Sequence, residues 1–163
     1  MDFDPVSGAR AVERASMALG REPLYIVDPV VMTPVVARLV AVTDEAEAAL
    51  GGRREVLVTG YPFRVGRHIE NGAAENDLHL YDMNTGRSLH VSAVHFEIEY
   101  VDGGFVLVDR GSACGTIVSG RRIGGNRRGG TAPLLDGDEL VVGTRRSRYV
   151  FRFAVEDGSR ELV

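Results

Sequence analysis

From Val35 onward the apolar residues recur in short runs, and several runs alternate strictly with polar ones. Phe96, Ile98 and Tyr100 share one parity, Glu97 and Glu99 the other; Tyr149, Phe151, Phe153 and Val155 repeat the pattern around Arg152. Successive side chains of a strand point to opposite faces, so period-two runs mark strands with one buried face. The segments that read this way are Val35–Val42, Arg54–Thr59, Phe63–Gly66, Asp77–Tyr81, Val94–Tyr100, Phe105–Asp109, Thr116–Val118, Arg122–Ile123, Glu139–Val142 and Arg148–Val155. Gly, Asp and Asn turns separate them, and "DGDEL" at 136–140 is a turn leading into a strand. No helix of useful length and no internal repeat is expected beyond Val35. Short strands spaced by turn signals predict an all-β sandwich.

The first 34 residues follow another pattern. Ala9 to Leu19 reads as a weak helix: Val12, Ala15 and Leu19 share a face, Ser7 is placed to cap the start, and Gly20 with Pro23 ends it. "LYIVDPVVMTP" is apolar but broken by Pro29 and Pro34, which suits an extended arm or an edge strand rather than a central one. The expected organisation is an N-terminal arm at 1–34, a sandwich domain at 35–155 and a tail at 156–163.

Charge changes the picture little. Residues 1–50 carry four Arg against eight Asp and Glu, and residues 51–163 carry fifteen of each sign. That balance is not the basic excess of a nucleic-acid binder. All 19 basic residues are Arg, so every cation is a planar fork suited to carboxylate or phosphate, and none is a Schiff-base or Walker lysine. The single cysteine rules out an internal disulfide and, with no apolar leader or membrane-length run, fits a cytoplasmic protein with no membrane partner.

The loops between the strands carry the most specific signal. "RVGRH" (64–68), "ENDLHL" (75–80), "VSAVHFEI" (91–98), "DRGSACGT" (109–116), "SGRRI" (119–123) and "LLDGDELVVG" (134–143) follow one another in that order. This series resembles the forkhead-associated, or FHA, family, whose motifs run Gly-Arg, Asn-Asp, Ser-x-x-His, Gly-Ser-x-x-Gly-Thr, Asn-Gly and Gly-Asp. The resemblance covers roughly residues 35–155. It implies an eleven-stranded β-sandwich that binds phosphothreonine peptides through loops at one end, as an adaptor in Ser/Thr-kinase-linked signalling. The partner would be a phosphothreonine protein or peptide, either a kinase or a kinase substrate. On this resemblance Arg67 and Ser92 match the phosphate-binding pair. His95 matches a structural histidine that ties down the loop beneath Ser92, and Gly66 and Gly115 match the glycines that shape the rim. The chemistry agrees, because a phosphothreonine brings about −1.5 to −2 charge and three acceptor oxygens, which an Arg fork and a hydroxyl donor satisfy.

The chain also departs from the family pattern. Ala93 stands where many members carry Asn or Arg, and Ala113 and Cys114 stand where the family prefers Thr and Asn. Each lost polar contact costs about 1 kcal/mol, so two or three losses weaken binding roughly 10- to 100-fold. Arg87 and His90, on the long segment 80–92, and Arg110 are candidates to supply replacement contacts. The same departures favour a second reading, an FHA-fold scaffold that makes phosphate-independent contacts in a secretion-type or other assembly.

Other chemistry finds less support. His68, His79, His90 and Cys114 lack the closely spaced ligand pairs of a zinc site, so no metal or other cofactor is expected. An activated thiol at Cys114 beside Arg110 is weaker than an inert small residue. There is no nucleophile–base pair, Walker motif or dinucleotide glycine pattern, and no enzyme is expected. The Arg121-Arg122, Arg127-Arg128 and Arg145-Arg146 pairs read as solvated loop charges that also suit acidic residues flanking a phosphothreonine.

Overall fold

The computed structural model describes residues 35–70, 72, 75–84 and 89–157. The expected helix at 9–19, the rest of the arm and the tail from residue 158 lie outside them. The strands are β1 (Val35–Ala41), β2 (Glu55–Leu57), β3 (Phe63–Arg67), β4 (Leu78–Leu80), β5 (Phe96–Val101), β6 (Gly104–Asp109), β7 (Thr116–Val118), β8 (Arg121–Ile123), β9 (Gly130–Leu134), β10 (Glu139–Val142) and β11 (Val150–Asp157). They form one sheet in the order β2-β1-β11-β10-β7-β8 and another in the order β4-β3-β5-β6-β9. Every pairing is antiparallel except β3 with β4. The all-β sandwich expected from the alternation is the fold observed.

The alternating positions fill the space between the sheets. Leu39, Leu140, Phe151 and Phe153 come from the first sheet, and Val65, Phe96, Ile98 and Leu107 from the second; all are buried. Their partners in the alternation carry the charge. Arg64, on β3, pairs with Glu97, on β5, across the outer face at 3.6 Å.

Three elements differ from the sequence expectation. A short helix, α1 (Asp44–Ala49), follows β1 where none was expected. Thr43 caps it, its Oγ1 accepting from Ala46 N–H at 3.1 Å, and three acidic residues occupy the first turn. Six residues are too few for a helical period to stand out, yet Ala46, Ala49 and Leu50 are buried. The eleventh strand, β9, was hidden in "GTAPL". Among the described residues it pairs only with β6, and a proline that has no N–H to donate is tolerated on such an edge. Finally, β11 runs past Val155, pairing Glu156 with Val36 and Asp157 with Val35.

The register gathers one set of connections at one end. The pairs Val65↔Phe96, Phe96↔Asp109 and Asp109↔Gly130 place the end of β3, the start of β5, the end of β6 and the start of β9 side by side. The pair Val142↔Thr116 does the same for β7 and β10. Among the described residues, no helix is long and apolar enough to cross a membrane.

Candidate functional site

A cleft of about 550 Å³ opens at this end, between the end of β3, the segment before β5 and the loop from β6 to β7. Arg67, Ser92, Ala93, Ala113 and Cys114 all line it, with Leu89, Val91 and Arg127. Residues remote in sequence thus meet at one place.

Arg67 is the last residue of β3 and is held at two points. Its backbone N–H donates to Ser92 O at 2.9 Å, and its Nη1 donates to Val91 O at 2.7 Å. Its Nε and Nη2 donors have no protein partner among the described residues. Ser92 Oγ accepts from the N–H of Ala113 at 3.0 Å, which leaves its own proton to donate outward. An arginine fork and a hydroxyl therefore face the cleft with unused donors.

His95 lies beneath this pair, fully buried. The backbone N–H of Ser92 donates to Nδ1 at 2.9 Å, so Nδ1 is the unprotonated nitrogen. The proton sits on Nε2, which donates to Gly115 O at 2.9 Å. Burial pushes the imidazole below its usual range and outweighs the opposing Gly115 hydrogen bond and the Asp109 and Asp82 charges. One neutral ring thus ties the Ser92 segment to the Gly115 loop.

Two glycines allow the close approach. A Cβ at Gly66 would lie 2.0 Å from Ala93 O and 2.5 Å from Asn76 Nδ2. Gly115 has φ +79°, and a Cβ there would meet Ile123 O at 2.9 Å.

Residues 63–143 match the family model of the FHA domain. This segment is an FHA domain. Among solved structures, the FHA domain of an Arabidopsis thaliana hypothetical protein is 24% identical, with a TM-score of 0.51, covering 75% of this chain and 85% of that one. The yeast Pml1 splicing factor is 19% identical, with a TM-score of 0.55, covering 85% and 87%. The Rv1747 FHA-1 domain of Mycobacterium tuberculosis is 19% identical, with a TM-score of 0.51, covering 75% and 97%. At these identities the likeness is one of fold. No curated protein matches the sequence.

The other candidates of this FHA domain lie elsewhere. Arg110 does not line the cleft. It donates through Nη1 to Asn76 Oδ1 at 2.9 Å and stands 3.7 Å from Glu97. Asn76 in turn donates to Ala93 O at 2.8 Å, so Arg110 acts on the cleft wall through Asn76. His90 lines a neighbouring cavity, and Arg87 lies outside the described residues.

Several residues that build the FHA loops were not singled out in the sequence. Asp109 is buried and accepts from Gly111 N–H and Ser112 N–H at 2.9 Å each and from Ser112 Oγ at 2.5 Å. Ser112 Oγ then accepts from Gly115 N–H at 2.9 Å, closing the small-residue loop on itself. Asp82 gathers the long segment before Ser92. Its Oδ2 accepts from His90 N–H and Val91 N–H at 2.7 and 2.9 Å, and its Oδ1 from Asn84 N–H and Tyr149 Oη at 3.1 and 3.0 Å. Burial, with lesser contributions from Asp82, pushes the Tyr149 hydroxyl up to about 12, so it stays a donor. The cleft residue Arg127 was read as a loop charge that also suits acidic residues flanking a phosphothreonine, not as a residue of the phosphate site. Its backbone N–H donates to Ser112 O at 2.9 Å, and this positions it. The visible signal was acidic or hydroxyl residues beside glycines, which occurs in many turns.

Proposed function

We propose that this FHA domain binds a phosphothreonine segment of a protein partner in the Arg67 cleft, as an adaptor in Ser/Thr-kinase-linked signalling. The observation that carries this reading is the pair of unused donors at one cleft, on Arg67 and on the Ser92 hydroxyl. A phosphoryl group brings the charge and the acceptor oxygens that such a pair satisfies. Arg127, on the same wall, adds a second cation.

A hydrolytic reading of Ser92 and His95 has no support in the geometry. The ring binds the serine's backbone N–H, not its hydroxyl, and its other nitrogen is occupied by Gly115 O. A general base must reach the proton it removes.

Calorimetry with matched phosphothreonine and threonine peptides tests the proposal. The phosphopeptide is expected to bind, the threonine peptide not, and Arg67→Ala to weaken binding by about 100-fold or more while the melting temperature stays nearly constant. A folded Arg67→Ala variant that binds like the wild type would remove Arg67 from the site. One observation favours the second reading, a phosphate-independent scaffold: Ala113 and Cys114 give the rim neither a side-chain amide nor a hydroxyl. Equal affinity for the two peptides would establish that reading instead.

A further inference from the structure

A larger cavity, of about 910 Å³, lies beside the Arg67 cleft and shares Cys114 with it. Arg122 of β8 and Arg145 and Arg146, between β10 and β11, converge on it with Thr144 and His90. None of the three arginines forms an ion pair among the described residues, although Arg38, Arg64, Arg110 and Arg148 all do. Gly125 makes room for one of them, since a Cβ there would lie 2.3 Å from Arg122 Nη2. Three unpaired guanidinium groups around one opening repel one another and call for an anion.

We propose that this cavity takes a second phosphoryl group of the same peptide, so that the preferred ligand is doubly phosphorylated. The inference rests on the phosphothreonine reading of the Arg67 cleft. The nature of the donors selects the ligand. A carboxylate is satisfied by one bidentate arginine fork, whereas a phosphoryl group carries nearly twice the charge and three acceptor oxygens. Three forks and the Thr144 hydroxyl exceed what one carboxylate uses. The reach is also short. Leu89 lines one cavity and His90, the next residue, lines the other. An extended peptide advances roughly 3.3 Å per residue, so two to four residues span about 7–13 Å between the two groups.

Calorimetry on the full chain with four kinds of peptide built on one sequence tests this: unphosphorylated, singly phosphorylated, a set doubly phosphorylated at spacings of two to four residues on either side, and phosphorylated once with Glu at the second position. The second phosphoryl group is expected to tighten binding by about 10-fold or more at its best spacing, and Glu by no more than about 3-fold. The double variant Arg145→Gln/Arg146→Gln should lose that gain yet bind the singly phosphorylated peptide within about twofold of wild type. If the single phosphopeptide binds and the second group adds nothing at any spacing, the second site is wrong and the Arg67 reading stands. If Glu matches the second phosphoryl group, the site is a carboxylate site and the proposal fails. If no phosphopeptide binds, the Arg67 reading fails, and titration with inorganic phosphate decides on the cavity alone. Saturable shifts of the Gly120 and Thr144 amides, lost in the double variant, keep a phosphate site there; unchanged amides overturn it.

Discussion

The loop end of the sandwich has two layers built on opposite terms. The lower layer, formed by Asp109, Ser112 and His95, is buried, and each polar side chain has a protein partner. The upper layer, with Arg67, Ala113, Cys114 and Arg127, faces the cleft, and Arg67 Nε and Nη2 have no protein partner among the described residues although Nη1 is held by Val91 O. The lower layer fixes geometry and the upper one supplies chemistry. Substitutions below should therefore act first on stability, and substitutions above on affinity.

The strongest expected break is in the lower layer. Asp109→Ala removes the acceptor for three donors, two of them on buried Ser112, and is expected to cost about 3–4 kcal/mol in urea unfolding. A loss below about 1 kcal/mol would mean that the loop holds its shape without its carboxylate. Next comes Gly66→Ala, whose new methyl collides with Ala93 O, a backbone atom that cannot swing aside. An expected loss of about 2–3 kcal/mol should come with weaker phosphopeptide binding, because the displaced strand carries Arg67. Retained affinity at reduced stability would show that Arg67 is placed independently of that contact.

His95→Ala is expected to cost about 2 kcal/mol and to change the pH dependence of stability. The ring's affinity for protons is lowered in the folded chain, so below pH 6.5, its ordinary value, the unfolded chain binds more protons. The wild type should have this contribution in full above pH 6.5 and lose it as pH falls toward the depressed folded value. The variant should show a shallower decline over that range, and equal slopes in urea titrations would contradict a buried neutral ring. The smallest stability effect belongs to the rim. Ala113→Thr with Cys114→Asn should change stability by less than about 0.5 kcal/mol. It should raise phosphothreonine-peptide affinity by a few-fold to roughly 100-fold, since one or two regained hydrogen bonds are worth about 1–3 kcal/mol. Weaker binding would mark Ala113 and Cys114 as adapted to another ligand.

The same division explains what the sequence made legible. Strands such as β5 and β11 announce themselves because burial on one face forces alternation. The ordered loop motifs placed Arg67, Ser92 and His95 at one end. The helix α1 and the strand β9 escaped because one is a single capped stretch of six residues and the other carries Gly and Pro on a sheet edge. Asp82 escaped for a different reason. Its partners lie at Asn84, His90, Val91 and Tyr149, and only the folded chain brings that last one close. Arg110 was a candidate for a replacement contact at the cleft, but Asn76 and Glu97 already engage its guanidinium.

Cys114, the chain's one cysteine, stands on the wall common to both cavities, its sulfur 3.6 Å from Leu89 O. That makes the native protein its own sensor. A maleimide dye or a fluorinated thiol tag has one attachment point, between the two basins, and needs no engineered residue. Occupancy of either basin should then be readable as a change in emission or in fluorine shift, and slower alkylation should report a bound ligand before any affinity is measured.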